Sequence, residues 1–404
     1  MTDKPLKGIK VCDYGQHGAG SACGKVLADW GADVIKVEPF WGCPSRYAGV
    51  IVGLNTEAGE NAHFEMLNSG KRSIAINLKD PEGLEILNRI IAESNIFFSN
   101  YRLRALQKFG LDYETLSAKY PALIWGHING FGTEGPMREE PGFDNASYWA
   151  YSGLILDPVN PDAVPKGGVF GGGDVMTGYV LASSMAACLY QQATQGKGQA
   201  VYTSLYGVGC WQDSCLIQGA ASGRVASGKL GPLDGYKASK DRVWFTLGIM
   251  DYKKIGPKLA KLIGHEEYAE VFSSRERLLE QSEHIRKLID DYFAGLCWDE
   301  LDARLKGIDI VHCRVQRPAE VAEDRQAKAN GYVWDYSLRD GKKAVMVSTP
   351  VKFGRQEIIE TANAPMIGEN TTEVLRELNY SEEEIKSLFE KKAVKEEHYY
   401  YSGN

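Results

Sequence analysis

Apolar residues in the first forty positions fall into two short runs, 9–14 and 33–38, on either side of a small-residue segment at 19–30. Short apolar runs bounded by turn residues mark buried strands, and the segment between them has the length of a helix, so the chain opens on a predicted βαβ unit. The alternation continues. Residues 73–77 predict a strand, and a helix opens at Asp80 and Pro81, where Asp can cap the first amides and Pro suits the first turn. Further strands are predicted at 95–99 and 122–128, the second leading into NGFGTEGP, and helical spacing resumes around 145–151. A loop holding Gly167, Gly168, Gly171, Gly172 and Gly173 then ends on Asp174, which starts a long helix to about Gln195, followed by a strand at 199–205. Strands alternating with helices predict an α/β fold with a mostly parallel sheet.

After GAASGRVASGKLG (219–231) the texture changes, with short strands predicted at 243–247 and 309–315 among charged helical stretches. A smaller α+β domain is expected there, giving a large domain over 1–225, a small one over 226–325 and a C-terminal segment over 326–404. That last segment shows two helix starts: Asn370, and Ser381 with Glu384 in the spacing of a capping box. No internal repeat is visible.

A chain of 404 residues exceeds what one core usually supports, and 44% apolar with 25% charged residues is the balance of a folded protein. The opening MTDKPLKGIKV lacks the apolar stretch of an export signal, so a cytoplasmic address is expected. The least charged stretch, 201–223, contains Gln212, Asp213 and Gln218 and reads as a buried helix, not a membrane span. Eight cysteines without a CxxC pair read as reduced, mostly buried thiols. A net charge of −7 offers nucleic acid no general attraction, so a polyanionic ligand would need a local basic patch.

Three constellations could carry chemistry. Gly15, Gly18 and Gly20, with Glu38 ending the second strand, imitate a dinucleotide site, but GxxGxG is not the GxGxxG that places each glycine at the pyrophosphate. Asp174 follows three glycines at a helix start, where the dipole favours a carboxylate. At its ordinary pKa of about 3.9 such a group is ionised at neutral pH and could attack a thioester carbonyl, with the amides of Gly171, Gly172 and Gly173 serving the oxyanion. It reads equally as a plain helix cap. Lys71 and Arg72, and then Arg102, Arg104 and Lys108, follow or flank strand ends, where they suit phosphate or simply a solvated face. Seven histidines form no HExxH, no GxSxG occurs, and no metal site is expected.

Taken together, PLKGIKVCDYG (5–15), AGSACGKVLADWGADVIKVEP (19–39), NSGKRSIAINLKDPEG (68–83), NGFGTEGP (129–136), PGFD (141–144), GGGD (171–174) and GKGQAVYTSL (196–205) resemble the family III CoA-transferases over nearly the whole chain. That group includes the formyl-CoA, carnitine, phenyllactate and 2-hydroxyisocaproate CoA-transferases, with an acyl-CoA racemase as a relative. The resemblance implies a Rossmann-like large domain, a C-terminal segment returning to it, and an interlocked homodimer. It makes Asp174 the nucleophile, passing through an aspartyl anhydride and an aspartyl-CoA thioester. CoA is implied as a thioester substrate, with no permanently bound cofactor. Its contacts carry over to His17, Gly18, Ala19, Asn100, Tyr101, Ala105 and Lys108, and charge and proximity in sequence add Lys71, Arg72 and Arg104. The match departs from the family at Pro39 and at Gly42-Cys43-Pro44, so CoA contacts around 39–46 stay open.

The racemases carry a His before the Asp of the PGFD-like segment; Phe143 stands there and cannot move a proton. No four-glycine loop like that of the formyl-CoA enzyme appears in the small domain. Likeness in FGLDYETLSAKYPAL (109–123), EEPGFD (139–144) and PMIGENTTEVLRELNYSEEEI (365–385) favours the 2-hydroxy acid transferases of amino-acid fermentation. The alternatives are, in order, a carnitine transferase, a racemase and a dinucleotide-dependent oxidoreductase. Expected partners are acyl-CoA and small carboxylic acids, with neither nucleic acid nor membrane.

Overall fold

The apolar runs predicted in the first half all become strands of one sheet: β1 (Lys10–Tyr14), β2 (Asp33–Pro39), β3 (Arg72–Ile76), β4 (Ile96–Ser99), β5 (Ile124–Asn129) and β6 (Ala200–Ser204). They are parallel, in the order β3-β2-β1-β4-β5-β6. The computed structural model describes residues 4–57, 61–156, 163–165, 167–223, 231–354 and 361–398.

Burial on both faces explains why the strands inside the sheet, β4 and β5 above all, read as continuous apolar runs. Phe97 and Phe98 are neighbours on β4, both fully buried, and enter different cores because successive side chains leave a strand on opposite sides. Phe98 joins Cys23 and Leu27 of α1 (His17–Asp29). Phe97 joins Ile86, Leu87, Ile90 and Ile91 of α2 (Pro81–Ala92). The helix α2 starts as its sequence predicts, with Pro81 in the first turn and the Asp80 carboxylate accepting from the Glu82 amide at 2.9 Å. The chain then forms α3 (Leu103–Lys108) and, after the glycine loop, α4 (Gly172–Gln195), whose Leu181 and Met185 pack on the α1 face of the sheet. The helical spacing around 145–151 is realised as a π-helical turn, Asp144–Ala150.

Two units are distinguishable. One comprises the described residues of Met1–Leu156, Val164–Ile217 and Arg325–Asn404, the other those of Asp157–Ala163 and Gln218–Asp324. The boundary expected at 225/226 lies outside the described residues. The second unit is α+β: antiparallel strands β7 (Tyr236–Ala238), β8 (Trp244–Gly248) and β9 (Val311–Arg314), with Phe245, Leu259, Phe293 and Leu301 in its core. In the first unit the chain forms a hairpin of β10 (Val333–Ser337) and β11 (Lys343–Val347). The capping box at Ser381 and Glu384 forms as its spacing predicts. Finally β12 (Val394–Lys395) pairs antiparallel with β3 and completes the edge of the sheet.

Two expectations need correction. The stretch 201–223 is not one buried helix: Ser204 caps a short helix, Leu205–Gln212, on which Trp211 is exposed, and a second, Ser214–Ala221, buries no residue and leaves Leu216 and Ile217 exposed. The thiols are all free, but only Cys12, Cys23, Cys43 and Cys188 are buried, since the others lie on elements that face outward. No helix among the described residues is long and apolar enough to cross a membrane.

Candidate active site

Strand order reverses between β1 and β4, so the loops leaving their carboxyl ends diverge and open a crevice, the usual ligand position in a doubly wound sheet. A cavity of about 390 Å³ lies there. The loop after β1 contributes Gln16, His17 and Ala19, and the segment after β4 contributes Asn100, Tyr101, Arg102 and Leu103. His127 at the end of β5, Arg138, Phe143 and Asp174 also line it, as do Pro39, Trp41 and Pro44.

The loop after β1 is pinned from two sides. The Gln16 amide donates to Asn100 Oδ1 at 2.7 Å, and Asn100 Nδ2 donates to the Gln16 carbonyl at 2.7 Å. Below the loop, Asp13 Oδ1 accepts from the Gly15 amide at 2.9 Å, while its Oδ2 takes Lys71 Nζ at 2.9 Å. Lys71 also donates to the Ser21 carbonyl at 2.7 Å and Asn68 Oδ1 at 2.9 Å. His17 turns the chain from strand to helix with φ of 55°, a left-handed conformation that non-glycine residues adopt only under constraint. Its ring meets Phe143 edge-on at 5.8 Å, and burial lowers its pKa.

Gly18 and Asp174 are in direct contact. A Cβ at residue 18 would stand 2.1 Å from Asp174 Oδ2, so only glycine leaves room for this carboxylate. Asp174 accepts no hydrogen bond from a described residue. Burial first, and the negative charge of Asp144 second, push its pKa up to about 7. The expectation of a carboxylate at its ordinary pKa is therefore corrected: burial and the Asp144 charge disfavour the Asp174 anion in the free protein.

The glycine amides also have another role than expected. Asp144 Oδ1 accepts from the Asp174 amide at 2.9 Å and its Oδ2 from Trp149 Nε1 at 3.0 Å, with the Gly171 and Gly173 amides directed to the same carboxyl. The Gly172 amide bonds to the Val169 carbonyl at 2.9 Å. Asp144, 30 residues upstream, thus caps α4 and takes up the donors expected to serve an oxyanion. Gly173 is needed for packing, because a Cβ there would lie 2.2 Å from the Tyr148 ring.

Of the predicted ligand contacts, His17, Ala19, Asn100, Tyr101 and Asp174 line the cavity and Gly18 backs it. Lys71 and Arg72 do not. Lys71 is sealed against Asp13, both side chains fully buried, and burial pushes its pKa down to about 8 against that pull. Arg72 is engaged by Asp33, Glu373 and Glu377. Arg104, Ala105 and Lys108 stand on α3, outside the lining, with Arg102, Arg104 and Lys108 exposed. Glu38, which imitated a ribose ligand, is spent internally: Oε2 accepts from the Cys43 amide and Arg46 Nε, Oε1 from Arg46 Nη2 and Ser73 Oγ. Sequence reasoning missed Gln16, Trp41, His127, Arg138 and the role of Asp144. The first three follow or end predicted strands, so the rule that ligands gather at carboxyl ends could have found them.

The chain matches the model of CoA-transferase family III over residues 6–371. It is 33% identical to a (R)-2-hydroxy-4-methylpentanoate CoA-transferase of Clostridioides difficile, over 96% of this chain and 99% of that one. It is 32% identical to a cinnamoyl-CoA:phenyllactate CoA-transferase of Clostridium sporogenes, over 96% and 97% respectively. Among solved structures, a CAIB/BAIF family protein from Brucella suis superposes with a TM-score of 0.80 at 28% identity, covering 93% of this chain and all of that one.

Proposed function

The chain belongs to CoA-transferase family III, and from that premise we propose that it transfers CoA from an acyl-CoA donor to a free 2-hydroxy acid, with Asp174 as the covalent carrier. The contact that carries this reading is the Asp174 carboxylate against the bare Cα of Gly18, inside a cavity able to hold a small acyl group. Ionised Asp174 attacks the donor thioester carbonyl, expelling CoA thiolate and forming a mixed anhydride. The thiolate attacks the aspartyl carbonyl of that anhydride and releases the donor acid, leaving an aspartyl-CoA thioester. An acceptor carboxylate attacks this thioester, the thiolate leaves again, and its return to the new acyl carbonyl regenerates Asp174. The thioester is passed on without hydrolysis, so the cycle consumes no ATP.

Arg102, Arg104 and Lys108, exposed at the mouth of the β4 loop, suit the phosphates of CoA. The acid is read from the two relatives that act on 2-hydroxy acids or phenyllactate. The exposed Trp211, Leu216 and Ile217 support a homodimer. The test offers 2-hydroxy-4-methylpentanoate, phenyllactate, carnitine and oxalate, each with a matching CoA donor, and follows the new thioester by mass spectrometry. Transfer to the hydroxy acids, lost in Asp174→Ala, is expected. Transfer that survives the substitution would refute the role of Asp174, and preference for carnitine or oxalate would refute the choice of acid.

A further inference from the structure

Two buried side chains in the cavity wall carry polar atoms with no partner among the described residues. Gln16 is 6% exposed, and neither its Oε1 nor its Nε2 has a partner among the described residues. His127 is 1% exposed, and its Nδ1 is likewise alone. Unpaired buried amides and ring nitrogens are costly, and a ligand that pairs them is one way to offset that cost. Neither is a packing accident of a loose loop. The Gln16 backbone is clamped by Asn100, and the His127 ring stacks on Trp125 at 5.5 Å with Nε2 2.8 Å from the Tyr101 carbonyl.

That last bond fixes the tautomer. A carbonyl only accepts, so Nε2 carries the proton and Nδ1 is a bare lone pair. Burial lowers the pKa of the ring to about 4, so it remains neutral. A carboxylate or a thioester oxygen set against Nδ1 would meet lone pair with lone pair. The group it receives must donate, and Gln16 can both donate and accept.

We infer that Gln16 and His127 form a subsite that recognises the 2-hydroxyl of the acyl group. Gln16 lies two residues before Gly18, which touches Asp174, and Gln16, His127 and Asp174 all line the one cavity. The hydroxyl sits one carbon from the carbonyl that Asp174 attacks and is the first donor along such an acyl chain. That cavity has a volume of about 390 Å³, which holds a short acyl group. The inference rests on the reading that the acids are 2-hydroxy acids.

The test compares kcat/KM for 2-hydroxy-4-methylpentanoate with that for 4-methylpentanoate, using one CoA donor, in the wild type, Gln16→Met and His127→Phe. The ratio is expected to fall about 10- to 100-fold in either variant. Gln16→Met should also raise the melting temperature of the unliganded enzyme by about 1–3 °C, because it removes an unpaired buried amide. A ratio that stays as in the wild type overturns the subsite. So does a loss shared by both acids together with weaker CoA binding in calorimetry, which assigns the two residues to an amide of the CoA arm. A wild type that transfers to other acids and not to the hydroxy acid refutes the substrate reading itself, a result seen before any variant is made.

Discussion

Replacing Asp174 with Asn removes a charge from a position that has no hydrogen-bond donor to receive it, while keeping the shape of the side chain. In the unfolded chain the carboxyl ionises near 3.8; in the folded protein it does so near 7, because burial and then Asp144 disfavour the anion. A group whose folded pKa is raised contributes stability below its unfolded pKa and loses it as pH rises to the folded value. At about 1.4 kcal/mol per pH unit, the wild type sheds on the order of 4 kcal/mol across that window, less a discount for the partial exposure of Asp174. Asn does not titrate. Thermal melting followed by circular dichroism at pH 4, 5.5, 7 and 8.5 should therefore show the variant gaining on the wild type up to about pH 7 and no further. Transfer activity should vanish at every pH. A gap between the two proteins that is constant with pH would refute the account of Asp174 as a destabilised anion, whatever the loss of activity.

Asp144→Asn should move the acid limb of the kcat/KM profile below its wild-type position near 7, since a negative neighbour no longer opposes ionisation of Asp174; a limb that stays or rises contradicts this. Gly18→Ala places a methyl 2.1 Å from Asp174 Oδ2, and transfer should fall at least 100-fold while the melting curve stays cooperative; near-normal turnover would mean that Asp174 works from elsewhere. Lys71→Met strands the fully buried Asp13 charge and should lower unfolding stability by about 3–5 kcal/mol, most of it recovered in the Lys71→Met/Asp13→Asn double variant. Additive losses in denaturant titration would show that the pair is not coupled.

What the sequence disclosed is what local rules govern. Strands buried on both faces, the Asp80 cap and the Ser381–Glu384 box depend on residues a few positions apart, and the structure has them where the pattern places them. Charge partners obey no such spacing. Lys71 looks like a phosphate ligand until the fold brings it to Asp13, 58 residues away, and Arg72 until it meets Glu373 and Glu377. The glycines before Asp174 suggest an open anion nest, and only the tertiary fold shows Asp144 already occupying it. Gln16 and His127 escaped notice because an orphaned polar atom is defined by its surroundings, which a sequence does not print.

The edge strand β12 bears on how the protein is made. Val394 pairs with Ile76, so one border of the main sheet closes only with residues at the far end of the described chain. While the ribosome is still extending the polypeptide, β3 presents an unpaired apolar edge, the kind of surface that recruits other strands. The unit spanning most of 218–324 draws its core from its own neighbourhood and can settle early. Truncation ahead of Val394 would thus leave the crevice residues in place but the sheet unfinished, and its toll should be read in aggregation during expression more than in the chemistry of the purified fraction.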